Sequence, residues 1–363
     1  MTTKLNKKVY LEIRRRVFIG MSGGVDSSVS AALLKQAGFD VTGVFIRVWE
    51  PKGYPCTWRD ERQEAMRVAA HLDIPLVTWN FAKEYKQAVV DYMVSEYKAG
   101  RTPNPDVMCN KHIKFGIFYN TAIKKGADFV ATGHYAINDK KGFKISNDTN
   151  KDQTYFLWNL KTKQLPHILF PVGVYTKPEV RLLATEFDLP NAEKKDSQGL
   201  CFVGQFDFKA FLKKQIKPKK GSVINEKNEI IGHHDGVWFY TIGERHGFTV
   251  TKKTPNDQPY FIIAKDTKKN ILTVSNNHKR IAEQVGDKKV IIEQTNWITE
   301  TPKASKVYKA RFRYRQPLQN CKVKIVNKNK AEITFSQSQT AVASGQSIVV
   351  YEGRNCLGGG IIK

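Results

Sequence analysis

The segment Ser22-Gly23-Gly24-Val25-Asp26-Ser27-Ser28 sets two adjacent glycines beside three hydroxyls and a carboxylate. Paired glycines let a backbone approach an anion closely, and exposed amides at a helix start, with the dipole behind them, favour phosphate. No Gly-Lys-Ser/Thr follows, so this is not the Walker loop; the competing reading is an ordinary strand–helix turn. A second segment, Thr102-Pro103-Asn104-Pro105-Asp106-Val107-Met108-Cys109-Asn110-Lys111, is a proline-stiffened loop entering a helix. A cysteine at a helix N-terminus, with Lys111 and Lys114 in the next turn, is expected to be an activated thiol. Asp106, three residues earlier, is placed to handle a proton. The competing reading here is a small buried cysteine in a structural turn. The third segment, Asp196-Ser197-Gln198-Gly199-Leu200-Cys201-Phe202, is polar and glycine-flanked, unlike core. Spacing alone does not bring Cys109 and Cys201 together.

The elements needed to position these segments are legible in the periodicity. Over the first 135 residues, short apolar strands (17–20, 41–48, 76–79, 127–132) alternate with helical patterns (27–37, 59–72, 83–98, 110–125). Such alternation predicts an α/β doubly wound parallel sheet, whose ligands sit at the carboxyl ends of the strands. Ser22–Ser27 and Thr132–Tyr135 both fall there. The pattern changes near residue 205: a last helix over 206–216, the KPKK linker 217–220, then almost only strands and turns. Among the strands expected are 221–231 and 237–240. Short strands at regular spacing suggest one or two small β domains after the α/β part, with a weakly marked break near 280–290.

Composition narrows the function classes. The chain has 363 residues, enough for two or three domains, and 41% apolar content excludes wholesale disorder. No apolar stretch approaches the roughly 18 residues of a membrane span. Five scattered cysteines (Cys56, Cys109, Cys201, Cys321, Cys356) make no disulfide framework, so reduced thiols and a cytoplasmic setting are expected, with no membrane partner. His233-His234 have no third ligand at metal spacing. With 59 Lys+Arg against 34 Asp+Glu the formal charge is +25. Residues 1–205 hold 30 and 21, net +9; residues 206–363 hold 29 and 13, net +16. The uneven split points to a polyanion gripped more by the C-terminal part.

SGGVDSS resembles the pyrophosphate loop of enzymes that split ATP between its α and β phosphates and adenylate a substrate. Taken with GMSGGVDSSV (20–29), TPNPDVMCNKHIKFG (102–116), ATGHYA (131–136), KDQTYFL (151–157), DSQGLCFVG (196–204), ARFRYRQ (310–316) and CLGGGII (356–362), the chain resembles the bacterial tRNA-specific 2-thiouridylase family over nearly its whole length. That resemblance implies an adenine-nucleotide-hydrolase-like fold, with an ATP-binding catalytic α/β domain over 1–216, a small central β-rich domain over 217–283 and a C-terminal β-barrel contacting tRNA over 284–363. It implies ATP at Gly20, Met21, Ser22, Gly23, Gly24, Val25, Asp26, Ser27, Ile46 and Gly133, with Mg²⁺ as a cofactor; Ile46-Arg47 departs from the Met-Lys of many relatives. Asn104, Pro105 and Asp106 would meet the target base, with Cys109 the nucleophile, Cys201 the persulfide carrier and Asp106 the acid/base. Lys151, Asp152, Gln153, Arg313 and Tyr314 would contact tRNA.

The implied reaction puts sulfur at position 2 of the wobble uridine in the tRNAs for Lys, Glu and Gln, through an adenylated base and a transient Cys109–Cys201 disulfide. Its implied partners are a cysteine desulfurase or sulfur-relay protein that supplies the persulfide sulfur, and a cellular reductant. The Arg-Phe-Arg-Tyr-Arg run (311–315) reads as a strand with its three arginines on one face, suited to phosphates. Three alternatives stay open: an adenylating ligase or amidotransferase on a small metabolite, a non-catalytic RNA-binding protein, and an iron–sulfur variant of the thiolation using Asp106, Cys109 and Cys201.

Overall fold

A computed structural model describes residues 15–51, 53, 58–139, 142–195, 208–252, 257–277 and 287–363. The segment with Cys201 and the rest of DSQGLCFVG lies outside these residues, as does Cys56. The chain forms two compact units.

The first unit comprises Met1–Tyr85, Asn110–Thr154 and Lys161–Gly204. Its strands β1 (Arg16–Gly20), β2 (Asp40–Arg47), β3 (Leu76–Asn80) and β4 (Phe129–Thr132) form one parallel sheet with the short strand Ile168–Leu169. The order is β3, β2, β1, β4, Ile168–Leu169. From β1 the chain winds one way to β3 and returns on the other side at β4, so the strand order reverses between β1 and β4. That is the doubly wound sheet the sequence predicted. β2 buries Val44, Phe45 and Ile46 in succession, as a strand covered on both faces must. Between the strands run α1 (Val25–Gln36) and α2 (Trp58–His71). Val25, Val29, Ala65 and Val68 from these helices join Val17, Ile19 and Phe45 in the core.

The second unit comprises Lys86–Cys109, Tyr155–Leu160 and Gln205–Lys363. Its small sheet is built from Thr249–Val250, Ile230–His234, Gly221–Ile224, Ile271–Ser275 and Phe261–Asp266. The single strand expected over 221–231 is a hairpin. Asn225 Oδ1 accepts from Lys227 N and Glu229 N, and Asn228 at φ +63° turns the chain. The strand expected over 237–240 is a short 3₁₀ turn, Val237–Phe239, entered through Gly236 at φ +142°. Six further strands (Asp287–Trp297, Val307–Arg311, Gln319–Asn327, Lys330–Gln339, Ser347–Glu352, Asn355–Ile362) pair antiparallel, and the last returns to the first to close a barrel. Closure removes the sheet edges, and Val290, Ile292, Ile333, Phe335, Ile348 and Val350 fill the interior.

Two helical runs contain wide π turns: Lys86–Asp91, between α-helical Ala82–Tyr85 and Tyr92–Lys98, and Cys109–Phe118, between Pro105–Met108 and Tyr119–Lys124. Such turns concentrate at functional sites.

Candidate active site

The glycine-containing segment joins a strand to a helix. β1 ends at Gly20 and α1 begins at Val25, so the amides of Val25, Asp26 and Ser27 precede the first intrahelical partner. Gly23 sits at φ +73°, where a Cβ would lie 2.4 Å from the carbonyl oxygen of Glu61. Only glycine fits. The hydroxyls of Ser27 and Ser28 donate to the Gly24 carbonyl (2.9 and 3.0 Å), bracing the loop from within. Gly133, at the end of β4, packs on the loop itself: its Cβ position is 2.7 Å from Ser27 N.

Four residues absent from the sequence-based set grip this loop. Asp26 Oδ1 accepts from the Tyr135 hydroxyl at 2.9 Å and from Lys177 Nζ at 2.6 Å. Asn191 Nδ2 donates to Gly23 O and to Ser28 Oγ, both at 3.0 Å, and Lys194 Nζ donates to Gly23 O at 3.2 Å. Glu61, behind Gly23, has its carboxyl pushed up by burial, with Lys194 opposing the shift. Tyr135 lies within the quoted ATGHYA motif and was open to discovery. Lys177 carried a different signal: Thr176-Lys177-Pro178-Glu179 reads as a capping box, and Thr176 and Glu179 do form one. Nothing in that pattern points the lysine at a loop 151 positions away.

The second segment begins a helix at Asn104, whose Oδ1 accepts from Val107 N at 3.2 Å. This shifts the basis for activating Cys109. Its amide already bonds the carbonyls of Pro105 and Asp106, and its side chain is fully buried. The cysteine therefore occupies the second turn, past the free amides at the helix start. Lys114 Nζ instead reaches His134 Nε2 (3.3 Å), while burial pushes Lys111 below the ordinary lysine range. Asp106 is half-buried beside Asn104. The loop is tied down within its own unit: Thr102 N donates to Ser344 O (2.8 Å), and Gln346 Nε2 donates to Thr102 O (2.9 Å) and Pro103 O (3.1 Å).

Three domain families match in succession: the tRNA methyl transferase HUP domain over residues 15–205, the tRNA methyl transferase PRC-barrel domain over 209–276 and the aminomethyltransferase beta-barrel domain over 287–362. The tRNA-specific 2-thiouridylase MnmA of Nitrosomonas europaea is 43% identical over 96% of this chain and 98% of its own length. The proteins of the same name from Alkaliphilus oremlandii and Bacillus subtilis are 44% and 42% identical, each over 96% of this chain, and cover 96% and 94% of their own lengths. The chain belongs to the tRNA-specific 2-thiouridylase family.

The positions that this 2-thiouridylase resemblance singled out fare unequally. Ile46 and Met21 are buried, Ile46 opposite Trp79 in the β2–β3 register. Asp152 does not fit a tRNA contact. It is 1% exposed, and its carboxylate accepts from Ser146 N, Thr154 N and Thr154 Oγ1. Gln153 Oε1 accepts from Tyr135 N at 2.9 Å, bracing the residue that holds Asp26. Lys151 is half-buried beside them. Arg313 is exposed but its guanidinium donates to Ala341 O at 2.8 Å. Tyr314 packs against Phe156 in a tilted contact with centroids 4.7 Å apart, and Arg315 lies 5.1 Å over the Tyr314 ring. The expected arginine face is not formed, because the strand ends at Arg311 and the chain turns. Arg311 is buried, and its Nε donates to Tyr351 Oη. His134 is also buried, with a pKa well below the usual histidine value because burial and Lys114 both disfavour its charge. Lys114 donates to Nε2, so the neutral ring carries its proton on Nδ1, facing Thr132 Oγ1 at 2.7 Å.

Proposed function

We propose that this chain is a tRNA-uridine 2-sulfurtransferase that activates the wobble uridine of the tRNAs for Lys, Glu and Gln with MgATP and replaces O2 by sulfur. The reading is carried by end-to-end similarity to proteins named tRNA-specific 2-thiouridylase, over 96% of the chain, together with a loop whose backbone is open to phosphate. Uridine O2 is a poor leaving group. Its attack on the α phosphate of ATP makes an O-adenylated base and releases pyrophosphate. The Val25–Ser27 amides, with Lys177 and Lys194 beside the loop, are suited to the polyphosphate, and the magnesium ion enters with the nucleotide.

Sulfur then adds at C2. The outer sulfur of a Cys201 persulfide attacks the ring carbon and AMP departs with the former O2. The Cys109 thiolate attacks the inner sulfur, so that one S–S bond forms as another breaks and the outer sulfur remains on the base. A thiol reductant supplies two electrons to reopen the Cys109–Cys201 disulfide, and a cysteine desulfurase or relay protein reloads Cys201. Asp106 handles the proton during addition and loss of AMP.

The test is ATP-dependent pyrophosphate release with and without tRNA bearing uridine at the wobble position, followed by nucleoside analysis for 2-thiouridine. Release that depends on such tRNA and yields 2-thiouridine is expected. Release indifferent to tRNA would point to a ligase acting on a small metabolite.

A further inference from the structure

A carboxylate in the first turn of a helix is itself an anion, and the free amides there suit it as they suit a phosphate. Asp26 is such a residue, the second of α1, yet its side chain does not turn back onto them. Among the described residues its carboxylate accepts only from the Tyr135 hydroxyl, at 2.9 Å, and from Lys177 Nζ, at 2.6 Å. Both donors meet the same oxygen, Oδ1, and draw the group to one side. The Lys177 side chain is only 13% exposed, so water competes little for this contact.

Both holders are fastened to one short turn. Tyr135 and Gln153 clasp each other twice: Gln153 N donates to Tyr135 O at 2.9 Å, and Tyr135 N donates to Gln153 Oε1 at 2.9 Å. Lys177 N donates to Asp148 Oδ2 at 2.9 Å, while Asp148 Oδ1 accepts from Asn150 N at 3.0 Å and Lys151 N at 3.1 Å. The turn over 148–153 therefore reaches Asp26 by two separate routes, and every residue in them lies in the first unit. We propose that Tyr135 and Lys177, set by Gln153 and Asp148, are positioning residues that hold the Asp26 carboxylate off the helix-start amides and so leave those amides open to the phosphates of ATP. The inference rests on the proposed nucleotide site and deepens it. It also gives Gln153, which the resemblance assigned to tRNA, a task on the nucleotide side.

The experiment titrates the full chain with MgATP and, separately, with adenosine, which carries no phosphate, both without tRNA. Tyr135→Phe removes one donor to Asp26 and keeps the ring. Asp148→Asn keeps an oxygen for Asn150 N and Lys151 N but turns an NH2 toward Lys177 N, so that only the Lys177 link breaks. Each variant is expected to weaken MgATP at least about fivefold and adenosine by less than about twofold. In an Asp26→Asn background, where no charge needs holding aside, Tyr135→Phe should cost MgATP less than about twofold. A lowered melting temperature with an unchanged ATP/adenosine ratio would make these residues purely structural and overturn the proposal. So would an equal loss in the Asp26→Asn background, or a loss of tRNA affinity with ATP binding unaltered. Wild type that binds MgATP no better than adenosine defeats the nucleotide-site reading itself, a result distinct from these.

Discussion

Gly133→Ala tests whether the end of β4 sets the phosphate loop. The added Cβ would stand 2.7 Å from Ser27 N, 2.8 Å from Asp26 C and 3.0 Å from Asp26 O, where ordinary contact begins near 3.4 Å. All three atoms are backbone, so no side chain can rotate aside; the Ser27 amide has to retreat by roughly 0.7 Å to restore contact. Ser27 N is among the amides at the start of α1 that lack an intrahelical partner and are proposed to meet the nucleotide. Overpacking of this kind costs about 1–3 kcal/mol. If the loop absorbs it, ATP affinity falls by roughly 5- to 150-fold, since each 1.4 kcal/mol is about tenfold. Isothermal titration of ATP in the absence of tRNA reads this directly, and a thermal melt shows how much of the cost the fold takes up instead. ATP binding within twofold of wild type would refute the packing reasoning and leave Gly133 as a bystander to the nucleotide.

Cys109→Ser and Cys201→Ser are each expected to abolish 2-thiouridine formation while leaving tRNA-dependent pyrophosphate release measurable; substantial thiolation by either variant would sink the two-cysteine scheme. Asp152→Ala strips acceptors from Ser146 N, Thr154 N and Thr154 Oγ1. It should destabilise the fold by about 1–3 kcal/mol in a denaturant melt, with the salt slope of tRNA binding unchanged; a lower slope with an unchanged melt would restore Asp152 to the tRNA surface. Arg313→Ala should lower the salt slope of tRNA binding by about one, whereas Arg311→Ala, at a buried site, should chiefly lower stability. Equal effects on binding and melting would contradict that distinction. Burial lowers Lys265 from 10.5 to about 8, with Glu244 opposing. Between those values the unfolded chain holds a proton the folded chain lacks, so this group makes stability rise with pH across that window, and its penalty is complete below it. Lys265→Met should remove that slope, read as the difference between the two melting-temperature profiles from pH 7 to 10.5.

The parallel sheet was legible because β1, β2 and β4 are apolar runs separated by helices whose burial follows their periodicity, and Gly23 and Gly24 mark the tight turn into α1. What periodicity could not supply was the return of distant side chains. Lys177 and Asn191 reach the loop from 151 and 168 positions away, and each is an ordinary polar residue in its own neighbourhood. The Arg-Phe-Arg-Tyr-Arg alternation looked like a strand, but period two is informative only while the strand lasts, and Arg315 at φ +62° belongs to a turn. Cys109 lies one helical turn past the helix start, where the sequence alone puts it at the N-terminus. Pro105 starts the helix because its missing N–H costs nothing at the first position, so the Asn104 cap, and with it the free amides, lie upstream of the thiol.

The charge excess also takes a different meaning from the architecture. The sequence placed chemistry in the first 205 residues, at +9, and the polyanion grip in the remainder, at +16. Yet Lys86–Cys109 folds with the C-terminal unit, and the proposed base-contacting loop is fastened there by Ser344 and Gln346. The Gly23–Gly24 loop belongs to the other unit, and the chain passes from one unit to the other after Cys109. The segments proposed for nucleotide activation and base contact are therefore divided by contact rather than by sequence order. A substitution in the barrel that loosens Thr102–Asn104 should then reduce the rate of pyrophosphate formation at saturating tRNA, not only the affinity for tRNA. A barrel serving solely as a basic grip would change affinity alone, because saturation would erase its contribution.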